Sequence, residues 1–146
     1  MSSSVQSVEV SYFLQMTEDE ERVRKAVEGL LGGDHPAERE DAEGHFGNKI
    51  VWMRQHVTGR EADAATGAII SKMDDSDRDA ILADLGPWVD EHGALYIRLN
   101  KQVLVMDGRA TLGSSDPVRV KVKPRPFVMK GDLESFYTRL FEEARG

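Results

Sequence analysis

The stretch Val118-Arg119-Val120-Lys121-Val122-Lys123 constrains this chain more than any other. Apolar and cationic side chains alternate strictly in it, the period of a β-strand with one buried face and one face in water. A helix would scatter the three valines around its axis, whereas a strand gathers them. The chain must therefore build a sheet with one covered face, and Arg119, Lys121 and Lys123 fall on the other. Pro124 and Pro126 end the run, because proline has no N–H to give to a ladder.

The same alternation recurs upstream. Val8, Val10, Tyr12 and Leu14 oppose Glu9, Ser11, Phe13 and Gln15, and Leu95, Ile97 and Leu99 oppose Tyr96, Arg98 and Asn100. In a third run Val51, Met53 and Val57 face a core while Ile50, Trp52, Arg54 and His56 face away. The parity slips at Lys101-Gln102, which predicts a bulge or short turn there. Asp34 to Asp41 is polar, turn-like at first and then extended.

Helical spacing fills the intervals. Thr17 with Glu20 forms a capping box ahead of Val23, Ala26, Val27, Leu30 and Leu31, and Gly32-Gly33 stops that helix. Thr58-Gly59-Arg60-Glu61 is a second capping box, opening a helix to about Met73. Ser76 caps a third, with Ile81, Leu82 and Leu85 inward, stopped or kinked at Gly86-Pro87. Asp132 caps the last, whose stripe is Leu133, Phe136, Tyr137, Leu140 and Phe141. One-sided strands with one-sided helices predict an α+β two-layer sandwich, mainly antiparallel, with helices on one sheet face. Residues 1–146 read as one domain.

Composition narrows the chemistry. With no cysteine, disulfides, thiolate metal sites and cysteine nucleophiles are excluded. No apolar run approaches a membrane span, and the Met-Ser-Ser-Ser start has neither basic nor apolar secretion character, so the expected location is the cytoplasm. The net charge is −7, but residues 94–131 carry 8 Lys+Arg against 2 Asp+Glu, while residues 1–93 carry 9 against 20. Screening acts over roughly 8 Å at physiological salt, so a basic strip attracts phosphate even on an acidic protein. Solvated strands that merely carry Lys and Arg are the plainer alternative.

Glu43-Gly44-His45-Phe46-Gly47-Asn48 reads as a hairpin tip. Together with Thr17-Glu18-Asp19-Glu20-Glu21 and Leu95-Tyr96-Ile97-Arg98-Leu99-Asn100-Lys101-Gln102, it resembles the small archaeal RNA-binding proteins described as predicted exosome subunits. The chain departs from that pattern at Lys49, where the resemblance leads one to expect proline. It implies a fold similar to the ribosomal large-subunit protein that binds 5S rRNA, RNA as a ligand, and exosome subunits as possible partners.

The candidate RNA-binding residues are Arg98, Lys101, Arg119, Lys121, Lys123 and Arg125 for phosphates, Tyr96 and Trp52 for bases, and His45 and Asn48 as polar contacts from the hairpin. Phe13, Arg54 and His56 share the helix-free face. Aromatic rings offer stacking surfaces and cations hold phosphates. Alternate residues on one strand stand roughly 6.5–7 Å apart, close to the step between phosphates. No catalytic residue is expected: there is no Gly-x-Ser-x-Gly elbow and no Walker-type loop. No cofactor is expected either. His35, His45, His56 and His92 lack the i, i+4 spacing of a helical metal site, which leaves a metal-dependent hydrolase as the less economical reading. The leading rival to RNA binding is a non-catalytic interaction module that forms a homodimer through the open sheet face.

Overall fold

The structure, a computed structural model, describes residues 4–44, 46–129 and 131–145. Five strands form one antiparallel sheet in the order β2-β3-β1-β5-β4. They are β1 (Val5–Gln15), β2 (Ala37–Glu43), β3 (Lys49–Thr58), β4 (Leu95–Asn100) and β5 (Pro117–Pro124), interleaved with α1 (Glu20–Leu31), α2 (Gly59–Ser71), α3 (Asp75–Ala83), α4 (Lys101–Asp107), α5 (Pro126–Met129) and α6 (Leu133–Arg145). The expected α+β sandwich is the observed architecture.

β1 is the middle strand, paired with β3 on one side and β5 on the other. Its inward residues Val8, Val10, Tyr12 and Leu14 are buried, as are Leu95, Ile97 and Leu99 of β4 and Val118, Val120 and Val122 of β5. Burying a valine is worth roughly 1.5 kcal/mol or more, so β5 is held by its inner face and its outer face is free to carry charge. α2 lies across β1 with α1 and α6 beside it, burying Ala62, Ala65, Ile69 and Ile70 against Tyr137 and Phe141 of α6 in one core. Tyr137 donates to the Gly93 carbonyl at 2.6 Å and ties α6 to the turn before β4.

Local chemistry moves several boundaries from their sequence-based positions. α1 is capped by Asp19, whose side chain accepts from the Arg22 N–H, and not by Thr17. The Glu18 N–H bonds back to the Gln15 carbonyl and the Glu18 carboxylate accepts from the Gln15 N–H, so Thr17 is held in the turn that leaves β1. Gly32 ends the helix at φ 77°, as its sequence position predicts. Thr58 does precede α2, but its side chain makes no capping bond. Asp74, not Ser76, precedes α3.

The largest correction follows β4. Where a bulge or turn was expected there is α4, because the Asn100 side chain accepts from the Val103 N–H at 2.9 Å and caps a helix that Gly108 ends at φ 71°. Pro124 does end β5, and Pro126 then opens the short α5, where its fixed φ is already helical. Asp132 caps α6 through the Ser135 N–H. Among the described residues, no helix is long and apolar enough to cross a membrane.

Candidate nucleic-acid interface

α2 covers the inner face with α1 and α6 packed against it, and strand register sets what the outer face presents. One row across it reads Glu38, Arg54, Ser11, Arg119, Arg98 from β2 to β4. The next reads His56, Glu9, Lys121, Tyr96, and a third places Thr58, Ser7 and Lys123 side by side. On the opposite flank of the first row lie Glu40, Trp52 and Phe13. Because side chains alternate, the register that buries the valines brings these residues together.

Charge is graded across the sheet. At the β2 side Arg54 is neutralised, its guanidinium 2.6 Å from Glu38 and 3.6 Å from Glu9. At the β4 and β5 side, Arg98, Arg119, Lys121 and Lys123 take part in no ion pair among the described residues. Arg98 and Arg119 are direct cross-strand partners. Like charges placed directly opposite each other destabilise a sheet, and here no carboxylate relieves them.

Aromatic rings are set among the cations. Phe13 and Trp52 pack at 4.6 Å between centroids, tilted by 55°, and the Arg119 guanidinium sits 5.8 Å from the Phe13 ring centre. Lys121 lies 5.4 Å from the centre of the Tyr96 ring, which is 44% exposed. The Tyr96 hydroxyl, with Asp90 and Glu9 further off, holds the Lys121 ammonium above its usual range. It is charged at every physiological pH.

Six of the ten sequence-predicted residues meet on this face: Arg98, Arg119, Lys121, Lys123, Tyr96 and Trp52. Arg125 lies one residue past the end of β5, with its N–H bonded to the Ser4 carbonyl at 3.0 Å; Pro124 is buried and Arg125 half-exposed, so the strand's alternation runs on to it. Lys101 is not on the face at all. Its ammonium is buried, bonded to the Phe13 carbonyl and Glu18 at 2.8 Å each and to Asp116 at 2.5 Å. Asn48 sits in the β2–β3 turn, where its carbonyl accepts from the Gly44 N–H at 2.7 Å. Its side chain fills the space where a Cβ on Gly44 would lie, which is a turn-forming role. By register that turn is roughly 20 Å along β3 from the row containing Arg119. His45 lies outside the described residues.

Sequence reasoning placed Phe13, Arg54 and His56 on the open face, and Glu9 on the same side of its strand as Phe13, but did not find the carboxylates that β2 brings there, Glu38 and Glu40. Glu9 was legible from its parity opposite Val8 and Val10. Among the described residues no group of three or more His, Cys, Asp or Glu is arranged to hold a metal ion.

Fold and site together define a class: antiparallel α+β proteins whose sheet leaves one face uncovered, cationic at one side and lined with aromatic rings. Within that class the chain belongs to the RNA-binding family, whose model matches residues 7–124. It is 27% identical over 130 residues to an RNA-binding protein of Pyrococcus abyssi, covering 85% of this chain and 84% of that one. It is also 27% identical over 135 residues to an uncharacterised protein of Methanocaldococcus jannaschii, covering 88% of this chain and 90% of that one. Crystal structures of DUF54 proteins share the fold. One from Archaeoglobus fulgidus superposes with a TM-score of 0.77 at 24% identity, over 93% of this chain and 99% of that chain. One from Sulfolobus solfataricus gives 0.76 at 21%, over 94% and 98%. These relatives are archaeal, as the sequence resemblance implies.

Proposed function

We propose that this chain binds RNA through the open face of its sheet and performs no chemistry on it. The observation that carries this reading is Arg98 paired with Arg119 across β4 and β5, neither of them in an ion pair with a carboxylate among the described residues. An arrangement that costs stability in the free protein is relieved when a polyanion lies over it. Lys121 and Lys123 extend the same strip along β5, and Phe13, Trp52 and Tyr96 offer ring surfaces beside it. Family membership and the RNA-binding relative from Pyrococcus abyssi support RNA as the polyanion. The acidic β2 edge, with Glu38, Glu40, Asp41 and Glu43, repels phosphate and confines the ligand to the other side.

The finer reading is a single domain working in the cytoplasm without cofactor or metal, as an accessory of the archaeal RNA exosome, with a fold similar to the ribosomal protein that binds 5S rRNA. Support for it comes from the resemblance carried by Glu43 to Asn48 and Leu95 to Gln102. Size-exclusion mass measurement and RNA gel shift on one sample test the core of the proposal. A monomer that shifts RNA is the expected result; a stable dimer indifferent to RNA contradicts it and makes the open face a subunit contact. Co-elution with purified exosome core tests the partner separately.

A further inference from the structure

Beside the cationic face, the outer edge of β4 is covered by two separate segments. Val89, just after the 3-10 turn Gly86–Trp88, bridges to Leu95 at one end of the strand, and Leu112 bridges to Leu99 at the other. The second segment is fastened closely. The Gly113 N–H bonds the Arg98 carbonyl at 3.0 Å, the Leu112 N–H bonds Asp77 at 3.2 Å, and a Cβ on Gly113 would meet the Asn100 Cβ at 2.9 Å. Only glycine permits that approach. Between the two segments, over Tyr96 and Arg98, a cleft of about 540 Å³ remains, with Trp88, Leu112 and Ser114 among its walls.

We infer that this cleft receives one unpaired nucleotide of the bound RNA, an inference that rests on the open face being the RNA site. Its size falls within the roughly 300–1,000 Å³ of pockets that hold small organic ligands. Its walls are chemically suited to a base. Trp88 is half-buried, packed on the core while lining the cleft, and Tyr96 is exposed, so the cleft has both a fixed and an accessible ring. Arg98 belongs to the cleft and to the phosphate row at once, which lets one side chain hold the backbone of a nucleotide whose base has turned inward. A base inside a duplex stays stacked between its neighbours and cannot enter. The cleft therefore selects RNA that has a bulge, an unpaired end or a single strand next to the segment lying on β5.

Trp52 and Trp88 are the two tryptophans in the chain, so in a Trp52→Phe protein the emission comes from Trp88 alone. The probes are a blunt RNA duplex and the same duplex with one bulged adenosine. The bulged duplex is expected to quench Trp88 and to bind more tightly, by roughly five- to hundredfold if the base stacks as bases do on aromatic side chains. Ser114→Phe fills the cleft from its exposed rim and is expected to abolish that preference while leaving affinity for the blunt duplex unchanged. Equal affinity for the two probes with a silent Trp88, or a preference that survives Ser114→Phe, overturns the cleft and leaves the sheet face standing. Failure of the native chain, with Trp52 intact, to bind either probe overturns both.

Discussion

The ammonium of Lys101 donates to the carbonyl oxygen of Phe13 at 2.8 Å. It also joins Glu18 from the end of β1 to Asp116 from the approach to β5, so one buried cation ties together the corner of the sheet from which the Phe13 ring projects. Lys101→Met would take the ammonium away from two carboxylates and a carbonyl, Glu18 keeping the bond from the Gln15 N–H. Both carboxylates retain some solvent, so the expected cost is roughly 2–3 kcal/mol, below the ~3–5 kcal/mol of a fully buried pair. Chemical denaturation of the two proteins measures it; a loss within error would mean that the cluster contributes nothing net.

Arg98→Gln should move stability and binding in opposite directions. Removing one of two cationic side chains at directly paired positions is expected to raise unfolding free energy by up to about 0.5 kcal/mol. The same change should weaken RNA binding and make its salt slope shallower by roughly 0.7–0.9. Denaturation and binding titrations on one preparation check both signs. A variant that loses stability would show that the facing pair is not repulsive.

Two buried tyrosines should respond differently to loss of their hydroxyls. Tyr12 is fully buried and its hydroxyl has no hydrogen-bond partner among the described residues, whereas Tyr137 donates to the Gly93 carbonyl. Tyr12→Phe is expected to leave stability unchanged or raise it by about 1 kcal/mol, and Tyr137→Phe to lower it by about 1 kcal/mol. Thermal unfolding of both variants distinguishes them. Burial pushes the Tyr12 hydroxyl up to about 12, so it stays protonated throughout the usable pH range.

Asp90 gives the fold an acid-sensitive element. Burial alone would raise its pKa, but bonds from the Ala94 and His92 N–H groups outweigh it and hold the carboxyl below its ordinary value of 3.8. The unfolded chain therefore binds this proton more readily than the folded one. The contribution to stability is intact above the ordinary value and is lost as pH falls through the lower folded one. Asp90→Asn should flatten that part of the acid limb in a stability-against-pH series.

Much of the fold can be read from local pattern, because a half-buried strand repeats every two residues. Val118 to Lys123 assigned its own faces, and the same parity put Phe13, Trp52, Tyr96 and Arg98 on the side where the structure has them. Long-range pairing was not readable in this way. Lys101 sits in a basic segment and counts as one more cation by sequence, yet its burial is decided by Glu18, 83 residues earlier, and by Asp116. Arg54 reads as a free cation until strand pairing sets Glu38 beside it. The missed α4 is a different kind of error: its Asn cap and terminal glycine were both visible, but the break in alternation at Lys101-Gln102 was read as a bulge or short turn in a strand instead of the start of a helix.

RNA affinity across a salt series, for single- and double-stranded RNA and for the native chain beside Arg119→Glu/Lys121→Glu, tests the central claim most directly. Four open-face cations predict a slope of log affinity against log salt of roughly −2.8 to −3.6 for the native protein. Both substituted side chains leave the inner face untouched, so the double variant should stay folded, bind far more weakly and show a shallower slope. A folded variant with native affinity and an unchanged slope would contradict RNA binding through this face.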